Sequence, residues 1–225
     1  MLKPQKKKVN KKELKHDPLL DSVLKAQTFY EKNRNILTYS VIGVIAVVLI
    51  TMWVSALMKE TEQEAVTLLG KAQVEYDQFN YIKARDFLNV LLEGYPGTDA
   101  ADQGTFLLAN LNFNENKIDE AEKMFEEFVS SYSGSDILLA SGYAGIGACH
   151  EAQNQYADAA ESYMKAFSVA GEFVKAADYL YLAGLNYLNA GDTNNARETF
   201  KRIVDDFPDS PKKYDAQTQM ILSEK

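Results

Sequence analysis

The stretch AGLNYLNAGDTNNARETFKRIVDDFP, Ala183 to Pro208, carries a small residue, a turn, an alanine, an aromatic ring and a proline at fixed distances. Ala196 lies twelve residues after Gly184, four before Phe200 and twelve before Pro208. The same spacing recurs upstream around Ala159, Ala121 and Ala84, in steps of 37, 38 and 37 residues. One helical turn after each alanine stands a large side chain: Leu88, Phe125, Tyr163, Phe200. Twelve residues before each stands a small one: Ala72, Ala109, Gly147, Gly184. A period of this length marks a stacked repeat, in which no unit can bury its apolar face alone.

The spacing predicts a helical hairpin in each unit. A small residue on the first helix lets the second approach, and the large residue past the alanine fills the groove between them. Turn formers fall between the two helices at Asn114-Glu-Asn116, Asn154 and Gly191-Asp192, whereas the first unit offers Phe79-Asn80. Breakers end the second helices at Pro96, Ser133, Gly171 and Pro208, and the Thr, Ser or Asp that follows can cap the next helix. Ser210 to Ser223, with Ser210 as N-cap and Pro211 opening the helix, reads as a terminal capping helix.

These small, aromatic, alanine and proline positions resemble the tetratricopeptide repeat, over about residues 60 to 210. The resemblance implies an all-α solenoid of about four hairpins that binds other proteins. The period of 37 to 38 exceeds the family's usual length of about 34, so a looser array is expected.

Ahead of the repeats, 24 residues between Arg34 and Lys59 carry no charge. As a helix, Ile36 to Met58 reaches about 34 Å, enough to cross a hydrocarbon core of about 30 Å. Twelve of its 23 residues are Ile, Leu or Val, which together favour insertion by roughly 4 to 7 kcal/mol. Tyr39 and Trp53 stand near opposite ends, where amphipathic rings prefer the headgroups. Val54-Ser55-Ala56 would suit a signal-peptide cleavage site, but 35 residues precede an apolar stretch of spanning length, so an uncleaved anchor fits better. With no Cys after the apolar run, a lipid-anchored lipoprotein is not expected.

Residues 1–35 hold ten Lys and Arg against four Asp and Glu, and the remainder fourteen against twenty-eight, so the tail is +6 and the rest −14. The positive-inside rule then places the tail in the cytoplasm and the repeats outside, in the periplasm of a two-membrane bacterium. The expected parts are a disordered basic tail at 1–16, an amphipathic interfacial helix at 17–35, a transmembrane helix at 36–58 and the repeat domain at 59–225. Asp17 and Pro18 would start the interfacial helix, and Leu19, Val23, Ala26 and Tyr30 share one of its faces. The lysine cluster is expected to serve topology and attraction to anionic lipid, the other reading being contact with ribosomal RNA or a cytosolic partner.

An acidic repeat domain is a poor partner for nucleic acid, whose binding needs Lys and Arg to displace counterions. One cysteine, Cys149, excludes an intrachain disulfide, and with one histidine in the tail and the other in a repeat, His16 and His150, no histidine pair for metal is expected. No phosphate loop is present and Cys149 and His150, adjacent on a helix, do not face each other. Neither enzyme activity, cofactor nor metal is expected, and His150 reads as packing.

The working surface should be the concave wall made by the first helices. Matching positions place Leu69, Gln73 and Tyr76, then Phe106, Asn110 and Phe113, then Ala144, Ala148 and Glu151, then Tyr181, Leu185 and Leu188 along it. The nine in the first, second and fourth units are the candidate peptide-binding residues, apolar and aromatic with interspersed amides. An inward-folded terminal helix would instead bury them as core.

The Tyr95-Pro-Gly-Thr98 and Phe207-Pro-Asp-Ser-Pro211 junctions resemble those of envelope proteins of the outer-membrane assembly (BamD-like) and cell-division coordinator kinds. The order of basic tail, amphipathic helix, span and repeats resembles the ancillary subunit of the Sec translocon (YfgM-like). That resemblance implies as partners the translocon, periplasmic chaperones and exported clients, with lipid around the anchor; a homo-oligomer is a further expectation. The other reading is a scaffold that organises envelope machinery without binding clients.

Overall fold

The computed structural model describes residues 18–171, 173 and 175–223. The predicted tail at 1–16 and the Asp17 cap lie outside them. The described residues form α-helices: α1 (Pro18–Asp77), α2 (Tyr81–Gly94), α3 (Asp99–Asn114), α4 (Ile118–Ser131), α5 (Asp136–Ala152), α6 (Tyr156–Ala170), α7 (Ala176–Asn189), α8 (Thr193–Asp206) and α9 (Lys212–Leu222). The chain divides into two compact units, one ending at Met58 and one from Lys59.

In the first unit the apolar part of α1 leaves Val44, Leu49, Trp53 and their neighbours exposed. It is the one helix among the described residues long and apolar enough to cross a membrane. Its hydroxyls turn back onto its own carbonyls, Thr38 on Arg34 at 2.8 Å, Thr51 on Val48 at 2.8 Å and Ser55 on Thr51 at 2.7 Å. No hydroxyl proton of these three is left facing an apolar medium unpaired.

The second unit is four hairpins and a cap: Lys59–Asp77 with α2, α3 with α4, α5 with α6, α7 with α8, then α9 against α7 and α8. Ala84, Ala121, Ala159 and Ala196 are fully buried at the crossings. A methyl on Gly184 would sit 2.6 Å from the Phe200 ring, and one on Gly147 3.1 Å from the Tyr163 ring. The glycines are there because the partner rings occupy the space.

All four hairpins close with one turn. Phe79, Asn116, Asn154 and Gly191 each take positive φ, between 61° and 80°. The N–H of the next residue reaches back five residues, as in Asn80 to Glu75 O at 2.8 Å and Asp192 to Tyr187 O at 2.8 Å. This is a Schellman-type closure, which favours glycine or asparagine at the left-handed position. The first hairpin therefore does not depart in geometry, only in residue: Phe79 adopts the left-handed conformation, at a cost of about 1–2 kcal/mol for a side chain with a Cβ. At the junctions, Thr98 caps α3 by accepting from the Ala101 N–H at 3.1 Å. Ser210 accepts from the Lys212 N–H at 3.2 Å, so α9 opens one residue later than Pro211 suggests.

Candidate functional site

In the first two hairpins the residue after the repeat alanine ties its hairpin to the next. Arg85 donates to Asn112 Oδ1 at 2.8 Å and Glu115 Oε2 at 2.7 Å. One repeat on, Glu122 pairs with His150 Nε2 at 2.9 Å and accepts from Gln153 Nε2 at 3.0 Å. The positions correspond while donor and acceptor swap, which fixes the stacking register and holds α1, α3 and α5 side by side. Glu62 secures the first of these helices by accepting from the N–H groups of Asp99 at 3.1 Å and Ala100 at 3.0 Å, the exposed positive end of α3.

His150 is thus a hydrogen-bonding clip rather than plain packing, and its Nδ1 lies 3.3 Å from Ser162 Oγ. Ser162, His150 and Glu122 form a line reminiscent in composition of a hydrolase relay. Ser162 is only 4% exposed and its hydroxyl donates to the Asp158 carbonyl at 2.9 Å, so no substrate carbonyl can reach it. Cys149 is fully buried, and burial, with the Glu122 charge adding, pushes its thiol up to about 12. No group of three or more His, Cys, Asp or Glu among the described residues could hold a metal ion.

Between α1 and α3 lies an open groove of about 570 Å³ lined by ten residues. Five of the nine candidate residues line it: Leu69, Gln73, Tyr76, Phe106 and Asn110. The walls are held from behind. Phe106 packs on Phe125 and Phe128 with ring centroids 5.7 and 5.3 Å apart, and Tyr76 Oη accepts from Asn114 Nδ2 at 2.7 Å. Burial raises the Tyr76 phenol above its usual range, and the Asn114 bond opposes the shift, so the ring presents a neutral hydroxyl.

The other four candidates are elsewhere. Phe113 packs against Ala109, Phe125 and Ile146. Tyr181, Leu185 and Leu188 pack at the far end, in the cluster that α9 completes with Ala216 and Met220. Lys212 of α9 stands 4.9 Å above the Tyr181 ring. The wall's apolar character thus has two uses, an open groove at the first two hairpins and a covered face at the last. In the third unit Ala144 is half-buried and Glu151 accepts from Tyr163 Oη at 3.1 Å and Asn186 Nδ2 at 3.3 Å.

Sequence reasoning missed Val66, Gly70, Gln103, Leu107 and Leu138 in the lining. Val66 and Gln103 were within reach, each three residues before a stripe member. Leu138, at the start of α5, has no counterpart in the stripe and joins only through stacking.

A model of the YfiO family, described as outer membrane lipoprotein, matches residues 61–224. The chain belongs to that family. The YfiO match coincides with the repeat domain, and the apolar part of α1 lies ahead of it. The family description names a lipoprotein, while the only cysteine in this sequence is the buried Cys149. No curated protein matches the chain. Among solved structures, MamA is similar over 68% of this chain and 81% of its own, with 17% identity and a TM-score of 0.55. A kinesin light chain of Podosopora anserina with nearly identical TPR-like repeats is similar over 72% and 86%, at 12% identity and 0.58. PilF of Pseudomonas aeruginosa is similar over 74% and 68%, at 16% identity and 0.55. These likenesses show the fold: a tetratricopeptide-type repeat scaffold, a class that binds other proteins on its extended surfaces.

Proposed function

We propose that this YfiO-family chain is a membrane-anchored protein-binding module with its repeats in the periplasm. Residues 36–58 cross the inner membrane and the basic tail stays in the cytoplasm. The module is an accessory of the Sec translocon that engages exported chains or recruits chaperones to them. The observation that carries the reading is the open, mainly apolar groove between α1 and α3, whose first lining residue, Val66, follows the apolar run closely in sequence. Its open amide oxygens suit a segment whose backbone is still unpaired.

The family match favours a second reading, a scaffold within outer-membrane assembly or division machinery that handles no clients. One experiment separates them. A photo-crosslinking residue at Val66 or Gln103, in cells, should give adducts with channel subunits or newly exported chains. Adducts confined to assembly or division proteins would favour the second reading, and none at either position would refute the groove. A C-terminal tag should become protease-sensitive once the outer membrane is opened; sensitivity only after the cytoplasm is opened would refute the topology.

A further inference from the structure

The groove has no basic residue in its lining, and neither α3, α5 nor α7 contains a single Lys or Arg. The second helices behave otherwise: α2, α4, α6 and α8 all carry Lys or Arg. On α1, the other wall, Lys71 stands over the Phe87 ring of α2, 5.9 Å from its centroid and outside the lining, so cations are held off the groove.

Carboxylates gather at its edge instead. Glu62, Asp99 and Asp102 each stand four residues before a lining residue, Val66, Gln103 and Phe106, so they continue the same helical faces by one turn. The bonds from Glu62 to the first N–H groups of α3 draw the three together. The positive end of the α3 dipole, equivalent to about half a charge, offsets only a part of their total. None of the three has an ion-pair partner among the described residues, and the Asp102 carboxyl is held above its usual range by burial and by Asp99 and Glu62 beside it. At the other end of the groove Asp77 accepts from Gln73 Nε2 at 2.9 Å.

The polar groups inside include open acceptors. Gln73 spends an amide proton on Asp77, and Asn110 spends one on the Phe106 carbonyl at 2.8 Å. Their amide oxygens have no donor among the described residues, so they can take N–H groups from a guest.

We infer that the segment this groove accepts is an extended apolar stretch flanked by lysine or arginine, its basic flank lying against Glu62, Asp99 and Asp102. The inference rests on the groove being a protein-binding site and adds the chemistry of the guest. A carboxylate-flanked segment of the same apolar content is rejected by like charge, and a wholly apolar one gains nothing from the edge.

The test uses the full chain in nanodiscs of zwitterionic lipid and two fluorescent peptides that share one apolar core, one flanked by lysines and one by glutamates. Anisotropy titrations, corrected with empty nanodiscs, should show the lysine peptide binding at least about tenfold tighter at low salt. The preference should shrink towards parity near 1 M salt, where the screening length falls to about 3 Å. Asp102→Asn, whose side chain makes no hydrogen bond among the described residues, should cut the preference by about threefold or more; Val66→Lys should abolish binding of the lysine peptide. Equal binding of the two peptides, or a preference untouched by Asp102→Asn, overturns the inference and leaves the groove standing as a binding site. Binding of neither peptide overturns both.

Discussion

Gly184→Ala and Gly70→Ala make the same chemical change in two helices of the repeat unit, and the fold predicts opposite signs. An alanine in a helix interior is favoured over glycine by about 0.8–1 kcal/mol. At Gly70 no atom lies within 4 Å of the added methyl, so that gain is realised. At Gly184 the methyl meets three carbons of the Phe200 ring at 2.6, 2.8 and 3.0 Å, where ordinary contact needs about 3.5 Å or more. Phe200 is fully buried and wedged among Ala196, Tyr181 and Ile203, so the ring has nowhere to go. Overpacking of this kind costs about 1–3 kcal/mol. Net of the propensity gain, Gly184→Ala should destabilise by about 0–2 kcal/mol, and the two variants should differ by about 1–3. Thermal unfolding of the full chain in detergent, followed by circular dichroism, reads this as roughly 2–4 °C per kcal/mol for a domain of this size. In a Phe200→Leu background the same alanine should cost about 1 kcal/mol less, because the offending ring is gone. A Gly184→Ala chain that melts higher than wild type would refute the close-approach account of the repeat.

Phe79→Asn should stabilise the repeat unit by about 1 kcal/mol, since asparagine tolerates the left-handed turn and Phe79, 78% exposed, forfeits little packing; a lower melting temperature would contradict the shared turn. Arg85→Ala should cost about 1–3 kcal/mol by stranding the buried Asn112 amide, read as a shifted urea midpoint with unchanged slope; a shift under about 0.5 kcal/mol would show that the clip does not hold the register. Cys149 should resist alkylation at neutral pH until denaturant is added. Its thiol keeps a proton to about 12 in the folded state while the unfolded chain releases it from near the ordinary value of 9.0, so stability falls as pH rises through that window. The contribution is at most ~1.4 kcal/mol per pH unit, and Cys149→Ala should flatten the slope; an unchanged slope would contradict the burial.

The sequence by itself determined the helices, their number in the repeat domain and their pairing. Ala84, Ala121, Ala159 and Ala196 announce the crossings because a fully buried contact between two helices tolerates only a small residue facing a large one, and that demand is local and periodic. The turns were legible at Asn116, Asn154 and Gly191 for the same reason, since a left-handed φ restricts residue type. Phe79 was not, because a bulky side chain can occupy that conformation when the packed hairpin compels it. Contacts between hairpins were also hidden. Gly104 and Gly142 make room for Leu91 and Phe128 of the preceding hairpin, and Glu122 reaches His150 across a helix boundary.

The candidate wall shows the same division. The stripe of Leu69, Gln73 and Tyr76 with Phe106 and Asn110 follows from helical spacing, which fixes the face a side chain occupies. Whether that face is open or covered depends on a helix far along the chain: α9 closes over Leu185 and Leu188, and no described helix closes over Leu69 and Phe106. Helix faces are written in one period of sequence, but their occupancy is set by what stacks against them, and only the tertiary structure decided which part of the apolar stripe became core and which became a groove.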